Sequence, residues 1–272
     1  MRLPDITPWP SEAIWQAVAP QWPGFTVEVL PEIDSTNAEL MRRVRAGRPD
    51  PVLLVAEHQS AGRGRLGRQW LGNRGTTGVS GPGCLTFSLG LSLAPQEWSG
   101  LSLAVGLSLA ESLHPDILLK WPNDLWWHDR KLAGILIETA HAGDAGASRY
   151  VVIGVGLNIV CPEAAGLSTP PAGLTELLPT LDAAQALARI VAPLIQTLKS
   201  FERLGFAPFQ AGFHARDALR QAPVTLSDGV SGVAQGVDRD GALLVQTAQG
   251  LKRVTSAEVS VRRLHVDHAA HG

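Results

Sequence analysis

The stretch 62-GRGRLGRQW-70 matches G-x-G-x-x-G over its first six residues, and what those glycines serve decides which fold the chain has. Read as a dinucleotide fingerprint, it demands a strand before the glycines, a helix opening directly after them, and an acid about 20 residues on for a ribose hydroxyl. The apolar run Val52–His58 meets the first demand. The other two fail. Residues 70–83 are rich in glycine and contain Pro82, a run of helix breakers where the helix should open and continue, and no acid occurs between Gln59 and Gln96. A doubly wound parallel sheet built on this loop is excluded. A Walker loop is excluded as well, because G-K-[ST] occurs nowhere, and GxSxG and HExxH are also absent.

What remains is a loop carrying Arg63, Arg65 and Arg68 among its glycines. Glycine lets backbone approach a ligand closely, and the planar guanidinium fork grips carboxylate or phosphate with two hydrogen bonds. A solvated, arginine-rich surface loop is the plain alternative, and the loop alone leaves it open. The rest of the chain offers no general basic field. Its formal charge is −2 over 272 residues, so a local anion site is expected and a DNA partner is not. No apolar run reaches the roughly 18 residues of a membrane span, and Met1–Asp5 leads into no signal-peptide core, so no membrane partner is expected. Cys84 and Cys161 form no CxxC pair, which points to buried thiols in a reducing cytoplasm.

Working outward, residues 1–27 form a Pro- and Trp-rich extension too short for a helix-turn-helix reader. In 32-EIDSTNAELMRRVRAG-47, Thr36 followed by Glu39 predicts a helix start with Thr36 as its N-cap, and Gly47 predicts the end. Strands are expected at Val52–His58, Cys84–Leu93, Ile117–Trp121, Leu125–His128, Leu132–Thr139 and Tyr150–Val160, with residues 128–131 as a hairpin tip. Helices are expected at Ser99–His114, at Asp182–Leu204 with a bend at Pro193, and near Gln210–Leu219. Beyond Ala222, short β-type runs separated by 227-SDG-229 and 238-DRDG-241 predict a small barrel, and the His-containing tail is expected to be disordered.

A second constellation lies in 120-KWPNDLWWHDRKLAGILIE-138, where Lys120, Asn123, Asp124 and Lys131 gather two cations, an amide and a carboxylate around a proline turn and a hairpin. Taken alone it is a Lys–Asp salt bridge. Taken with 34-DSTN-37, 56-AEHQ-59, 61-AGRGRLGR-68, 130-RKLAGIL-136 and 153-IGVGLN-158, it resembles the biotin protein ligases, specifically the class lacking an N-terminal DNA-binding domain. The blocks keep the family's order and spacing across about residues 28–265, and Gly241–Leu244 through Glu258–Arg262 resembles its SH3-like C-terminal domain. The implied fold is α/β of the α+β type. A mixed-sheet catalytic domain of the biotin/lipoyl ligase superfamily would cover 28–220, with an SH3-like barrel over 221–265 and a tail over 266–272.

The resemblance implies a carbon–nitrogen bond-forming ligase that uses ATP and Mg²⁺ to attach biotin, through biotinyl-5′-AMP, to a lysine of a biotin carboxyl carrier protein. Lys131, Arg63, Arg65 and Asp124 would carry the chemistry. Lys131 would meet the biotin carboxylate and the bridging phosphate, and Lys120 and Asn123 would stand on the nucleotide side. Asp124 would either bind Mg²⁺ or position and deprotonate the acceptor amine, and Asn158 would bind metal or nucleotide. Trp70 resembles the residue that packs over adenine. Ser35, Thr36 and Gln59 match positions that meet the ureido ring, with Gly62, Gly64 and Gly134 allowing close approach. Gly154 and Gly156 would let a flat ligand lie on strand backbone. The loop 62–74 would be mobile until ligand folds it down. Family members often pair through their sheets, which leaves room for a homodimer. The rival readings are a lipoate or octanoate ligase or transferase of the same superfamily, and a non-catalytic biotin sensor. Against the family pattern, residues 71–83 carry an insertion after Trp70.

Overall fold

The computed structural model describes residues 8–70, 72, 81–140, 148–163 and 169–255, and the backbone of 261–263. The insertion expected at 71–83 and the disordered tail expected at the C-terminus lie mostly or wholly outside these residues. A seven-stranded sheet is assembled from β1 (Thr26–Ile33), β2 (Val52–Gln59), β3 (Cys84–Leu93), β4 (Leu118–Lys120), β5 (Asp124–Trp127), β6 (Arg130–Ala140) and β7 (Arg149–Asn158), in the order β1-β2-β3-β7-β6-β5-β4. Only β1 and β2 run parallel; every other neighbouring pair is antiparallel. The sheet is mixed, as expected.

Its faces follow from side-chain alternation. On β3, Leu85, Phe87, Leu89, Leu91 and Leu93 point to one side, joined by Val151, Ile153, Val155 and Leu157 of β7. Two helices cover that side. They are α3 (Leu101–Leu113), apolar all round because sheet and helix both enclose it, and α4 (Ala183–Leu204). Helix α4 starts at a capping box between Asp182 and Gln185 and stops at Gly205, φ 65°. Pro193 lies within it on the exposed side, where the missing N–H costs least. A short α1 (Ser11–Val18) inserts Ile14 and Val18 beside α4. The opposite face carries Thr86, Ser88, Gly154 and Gly156 between strands, and is half covered by α2 (Thr36–Arg45), whose Leu40, Met41 and Val44 meet Val52, Leu54, Tyr150 and Val152. The uncovered half of this polar, glycine-lined face is where a ligand fits.

Two expectations are corrected. The N-cap of α2 is Ser35, with extended backbone and a side chain that accepts from Ala38 N. Thr36 is already helical, and Glu39 closes no capping box because Arg42 and Arg43 hold its carboxylate. The helix expected near Gln210–Leu219 is α5 (Gln210–Ala215) and ends four residues early. There Arg216 O accepts from Leu119 N, and Ala218 N donates to Leu119 O, so the backbone leaves the helix to pair with β4.

A second sheet follows, with β8 (Pro223–Leu226), β9 (Ser231–Val237), β10 (Leu243–Thr247), β11 (Gly250–Val254) and β12 (Val261–Arg263) in the order β11-β10-β9-β8-β12, all antiparallel. It buries Val224, Leu226, Ala234, Val237, Leu243 and Val245. Trp121 Nε1 donates to Gly241 O at 3.1 Å, tying this small domain to the main body just before the segment that holds Asn123 and Asp124.

Candidate active site

Cross-strand register assembles the site from residues far apart in sequence. One row crosses the whole main sheet: Leu30, Ala56, Thr86, Gly156, Gly134, Asp124 and Lys120 are successive partners from β1 to β4. Ser88, Gly154 and Leu136 form a second, two residues along. Above these rows lies a cavity of about 310 Å³, floored by glycine and roofed by the arginine loop. It is of the size that takes a small ligand.

The loop is a tight hairpin. Gly64 N donates to Arg68 O at 2.8 Å and Trp70 N to Gly62 O at 2.9 Å, while Arg63 and Gln69 pair as an antiparallel bridge. At its tip Leu66 (φ 56°) and Gly67 (φ 72°) are both left-handed, and Leu66 is exposed. Gly62 is needed because a Cβ there would strike the Trp70 carbonyl. The expectation of a mobile loop bears on 62–74, of which 62–70 and 72 are described. Arg65 reaches into the cavity and donates to Asn123 Oδ1 at 3.3 Å. Burial presses its guanidinium below the ordinary range, with Asp124 pulling upward and Arg68 adding to the depression. A cation held under such conditions favours an incoming anion. Arg63 points elsewhere, to Glu138 Oε1 at 3.2 Å.

On the sheet side, Lys131 Nζ meets Asp124 Oδ1 at 2.7 Å. The Lys131 backbone is pinned by Pro170 O and Ala172 N, both at 2.8 Å. Asn158, buried beneath, donates to Ala172 O at 3.1 Å and Lys131 O at 3.4 Å. Its amide nitrogen therefore fastens the Lys131 segment, and Asn158 is not among the residues lining the cavity. Lys120 stands 4.8 Å over the Trp126 ring, and Lys131 Nζ is 5.8 Å from the centre of the Trp70 ring. At an effective dielectric of about 20, an anion about 4 Å from such a cation gains about 4 kcal/mol, against about 1 kcal/mol in bulk water.

The other end of the cavity is a ladder of small polar groups. Thr36 N and Oγ1 face Gln59 Oε1 at 2.7 and 3.2 Å. Ser88 Oγ lies 2.7 Å from Thr36 Oγ1 and 2.6 Å from Asn37 Oδ1. Asn37 Nδ2 donates to Leu136 O and Glu138 Oε2, so Oδ1 is the acceptor and Ser88 donates to it, while the Thr36 hydroxyl donates to Gln59 Oε1. Lone pairs on Thr36 and Gln59 are then available to N–H donors on a ligand.

Most of the residues singled out from sequence converge here: Ser35, Thr36, Gln59, Arg63, Gly64, Arg65, Trp70, Lys120, Asn123, Asp124, Lys131, Gly134, Gly154 and Gly156 line the one cavity. Gly62 supports it from behind. A Cβ at Gly154 would run into Asn37 Oδ1 and one at Gly156 into the Trp70 indole, so these two side chains lie against the strand beside the cavity that both glycines line. Asn37, Ser88 and Glu138 were missed. Asn37 sat inside a quoted block, and Ser88 on the polar face of a strand whose alternation was visible.

Cations converging over a half-apolar, glycine-floored slot, with hydrogen-bonding groups at the far end, make a site suited to a small, partly apolar anion. Residues 29–158 match the biotin/lipoate A/B protein ligase family, and residues 223–262 match the biotin protein ligase C terminal domain. The chain is 35% identical over 251 residues to the bifunctional ligase/repressor BirA of Escherichia coli, covering 89% of this chain and 76% of that protein. It is 34% identical to the biotin--[acetyl-CoA-carboxylase] ligase of Mycobacterium tuberculosis, covering 86% and 88%. A biotin protein ligase from Aquifex aeolicus, solved with biotin and ATP, superposes with a TM-score of 0.72 at 28% identity, covering 88% of this chain and 99% of that one. The chain belongs to the biotin/lipoate A/B protein ligase family, and within it to the biotin protein ligases.

Proposed function

We propose that the chain attaches biotin to one lysine of a biotin carboxyl carrier protein or domain in two steps. In the first, a biotin carboxylate oxygen attacks the α-phosphorus of ATP, biotinyl-5′-AMP forms, and pyrophosphate leaves. In the second, the acceptor amine attacks the acyl carbon, AMP leaves, and the amine proton is lost as the amide forms. The first step joins two anions that repel in water, so its barrier falls chiefly through cations fixed in advance around them.

The observation that carries this reading is the Lys131–Asp124 pair at 2.7 Å, in the same cavity as the Trp70 indole and the Arg65–Asn123 contact. Lys131, pinned through its backbone, supplies charge at the carboxylate and the α-phosphate. Arg63 and Arg65 supply it from the hairpin, and Lys120 from β4. Thr36, Ser35 and Gln59 hold the ureido ring, while Trp70 offers a face to the adenine. Mg²⁺ neutralises phosphate charge when bound. Asp124, a carboxylate that lines the cavity, would be the residue to hold it. In the second step Asp124 is the base near Lys131 that orients the acceptor amine. Two unpaired thiols, Cys84 and Cys161, suit a reducing cytoplasm. Among the described residues no helix is long and apolar enough to cross a membrane.

The test is direct. Purified protein, ATP, Mg²⁺ and a carrier domain are mixed with biotin or lipoate in parallel, and the carrier is weighed by mass spectrometry. A biotin-sized increment on one carrier lysine is expected, absent with lipoate and reduced at least about 100-fold in rate in Lys131→Ala, the scale of losing a fixed charge-stabilising group. Transfer of lipoate would select the rival ligase, and biotin binding without transfer would select the sensor.

A further inference from the structure

Glu138 belongs to none of the roles above, yet it touches two parts of the site at once. Its Oε1 holds Arg63 Nη1 at 3.2 Å, and its Oε2 accepts from Asn37 Nδ2 at 3.0 Å. Asn37 is buried, and its Oδ1 receives Ser88, which joins Thr36 and Gln59. Asn37 has little freedom, because Gly154 lies directly beneath its amide and Leu136 O takes another of its hydrogen bonds. Glu138 is thereby fixed from the sheet side, while its other oxygen faces the loop. Arg63 borders both the central cavity and an adjoining groove, and Glu138 lines the groove alone. The guanidinium of Arg63 is thus drawn toward the groove, whereas Arg65 of the same hairpin points to Asn123.

We propose that Glu138 is a positioning residue that holds Arg63 aside in the ligand-free protein, and that an anionic ligand recruits Arg63 by exchanging its own carboxylate or phosphate for that of Glu138. The exchange is balanced in charge: one anion replaces another at the same guanidinium. The Arg63 side chain is 50% exposed and that of Glu138 23%, so the tether is weak enough to be displaced. Its anchorage through Asn37 joins the hydrogen-bonding end of the cavity to the cationic loop. This inference rests on the reading of the cavity as a biotin and nucleotide site, but its first test does not.

Glu138→Gln keeps the shape and the acceptor for Asn37 while removing the charge. In ligand-free protein, trypsin is expected to cleave after Arg63 about two- to fivefold faster in the variant, the range expected for loss of one half-exposed ion pair. Calorimetry should then show biotin binding tightened by a similar factor, and steady-state pyrophosphate release should show KM lowered with kcat unchanged. Glu138→Ala, which also strips the acceptor from Asn37, is expected to weaken biotin binding instead, and thermal melting of both variants confirms that they fold. Unchanged trypsin cleavage in Glu138→Gln, or weaker biotin binding in that variant, overturns the proposal. Failure of the wild-type protein to bind biotin would overturn the functional reading instead, with the trypsin result still deciding whether Glu138 restrains Arg63.

Discussion

Gly154 and Gly156 lie two residues apart on β7 and hold back two different side chains, so they separate the two ends of the site. Alanine at 154 drives a methyl group into Asn37 Oδ1 and breaks the ladder to Ser88 and Thr36. Alanine at 156 displaces the Trp70 indole and leaves the ladder intact. Overpacking of this kind costs about 1–3 kcal/mol. Gly154→Ala should therefore weaken biotin binding about tenfold by calorimetry, whereas Gly156→Ala should slow pyrophosphate release about tenfold with biotin affinity nearly kept. Equal losses of binding in both would show that the two ends are not separable. Behind Trp70, burial pushes the Cys84 thiol up to about 12 from 9.0, with the Trp70 contact and the Leu157 backbone opposing it weakly. The folded chain keeps this thiol protonated while the unfolded chain ionises it. Its contribution to stability is whole below pH 9.0 and is lost as pH rises toward about 12. Tyr150, raised for the same reason, acts in the same direction. Urea melts at about pH 8 and about pH 10 should show stability falling with alkali, and falling less in Cys84→Ala; identical slopes would mean that the thiol is accessible to solvent.

Among the elements, the start of α2 shows how one segment serves helix and ligand through adjacent residues. Ser35 caps the helix, and Thr36, the first helical residue, turns its hydroxyl toward Ser88 and Gln59. Ser35→Ala should lower stability by about 1 kcal/mol in denaturant melts. Thr36→Val takes a buried hydroxyl from Ser88 and Gln59, and should lower stability by about 1–3 kcal/mol and weaken biotin binding as well. Unchanged biotin binding in Thr36→Val would contradict the role given to its hydroxyl. The sequence made much of this legible. Strands β3, β6 and β7 were visible because a buried apolar face alternates with a polar one, and the hairpin tip because His128 and Asp129 adopt the left-handed turn that joins β5 to β6. Strand β1 was hidden, since TVEVLPEI is a half-buried edge that carries Pro31 and two glutamates. Glu138 and Asn37 were hidden as partners because they are 101 residues apart and meet only through the packing of α2 on the sheet. Composition and spacing carry local periodicity, but not which residue lies opposite which.

Across the whole molecule, the small C-terminal sheet is held where it can steady the site. Trp121 donates to Gly241 O and is buried, and residues 122–124 lead straight from it to the Asn123 and Asp124 side chains in the cavity. His214 and Gln210 of α5 add contacts to Val237 of β9. Gly241 has φ 82°, and a Cβ there would stand 2.7 Å from the Gly100 Cα at the start of α3. Gly241→Val should therefore push the two bodies apart, free Trp121 and loosen the turn that presents Asp124. The control is Gly229→Val, also at positive φ (85°) but with open space around it, which strains the small domain without touching the main one. Both variants should lose stability. Gly241→Val alone should split one calorimetric transition into two and slow ligation about tenfold, as expected when a supporting contact shifts catalytic groups by about 1 Å. If Gly229→Val slows ligation equally, the small domain acts through its own folding rather than through the Trp121 contact.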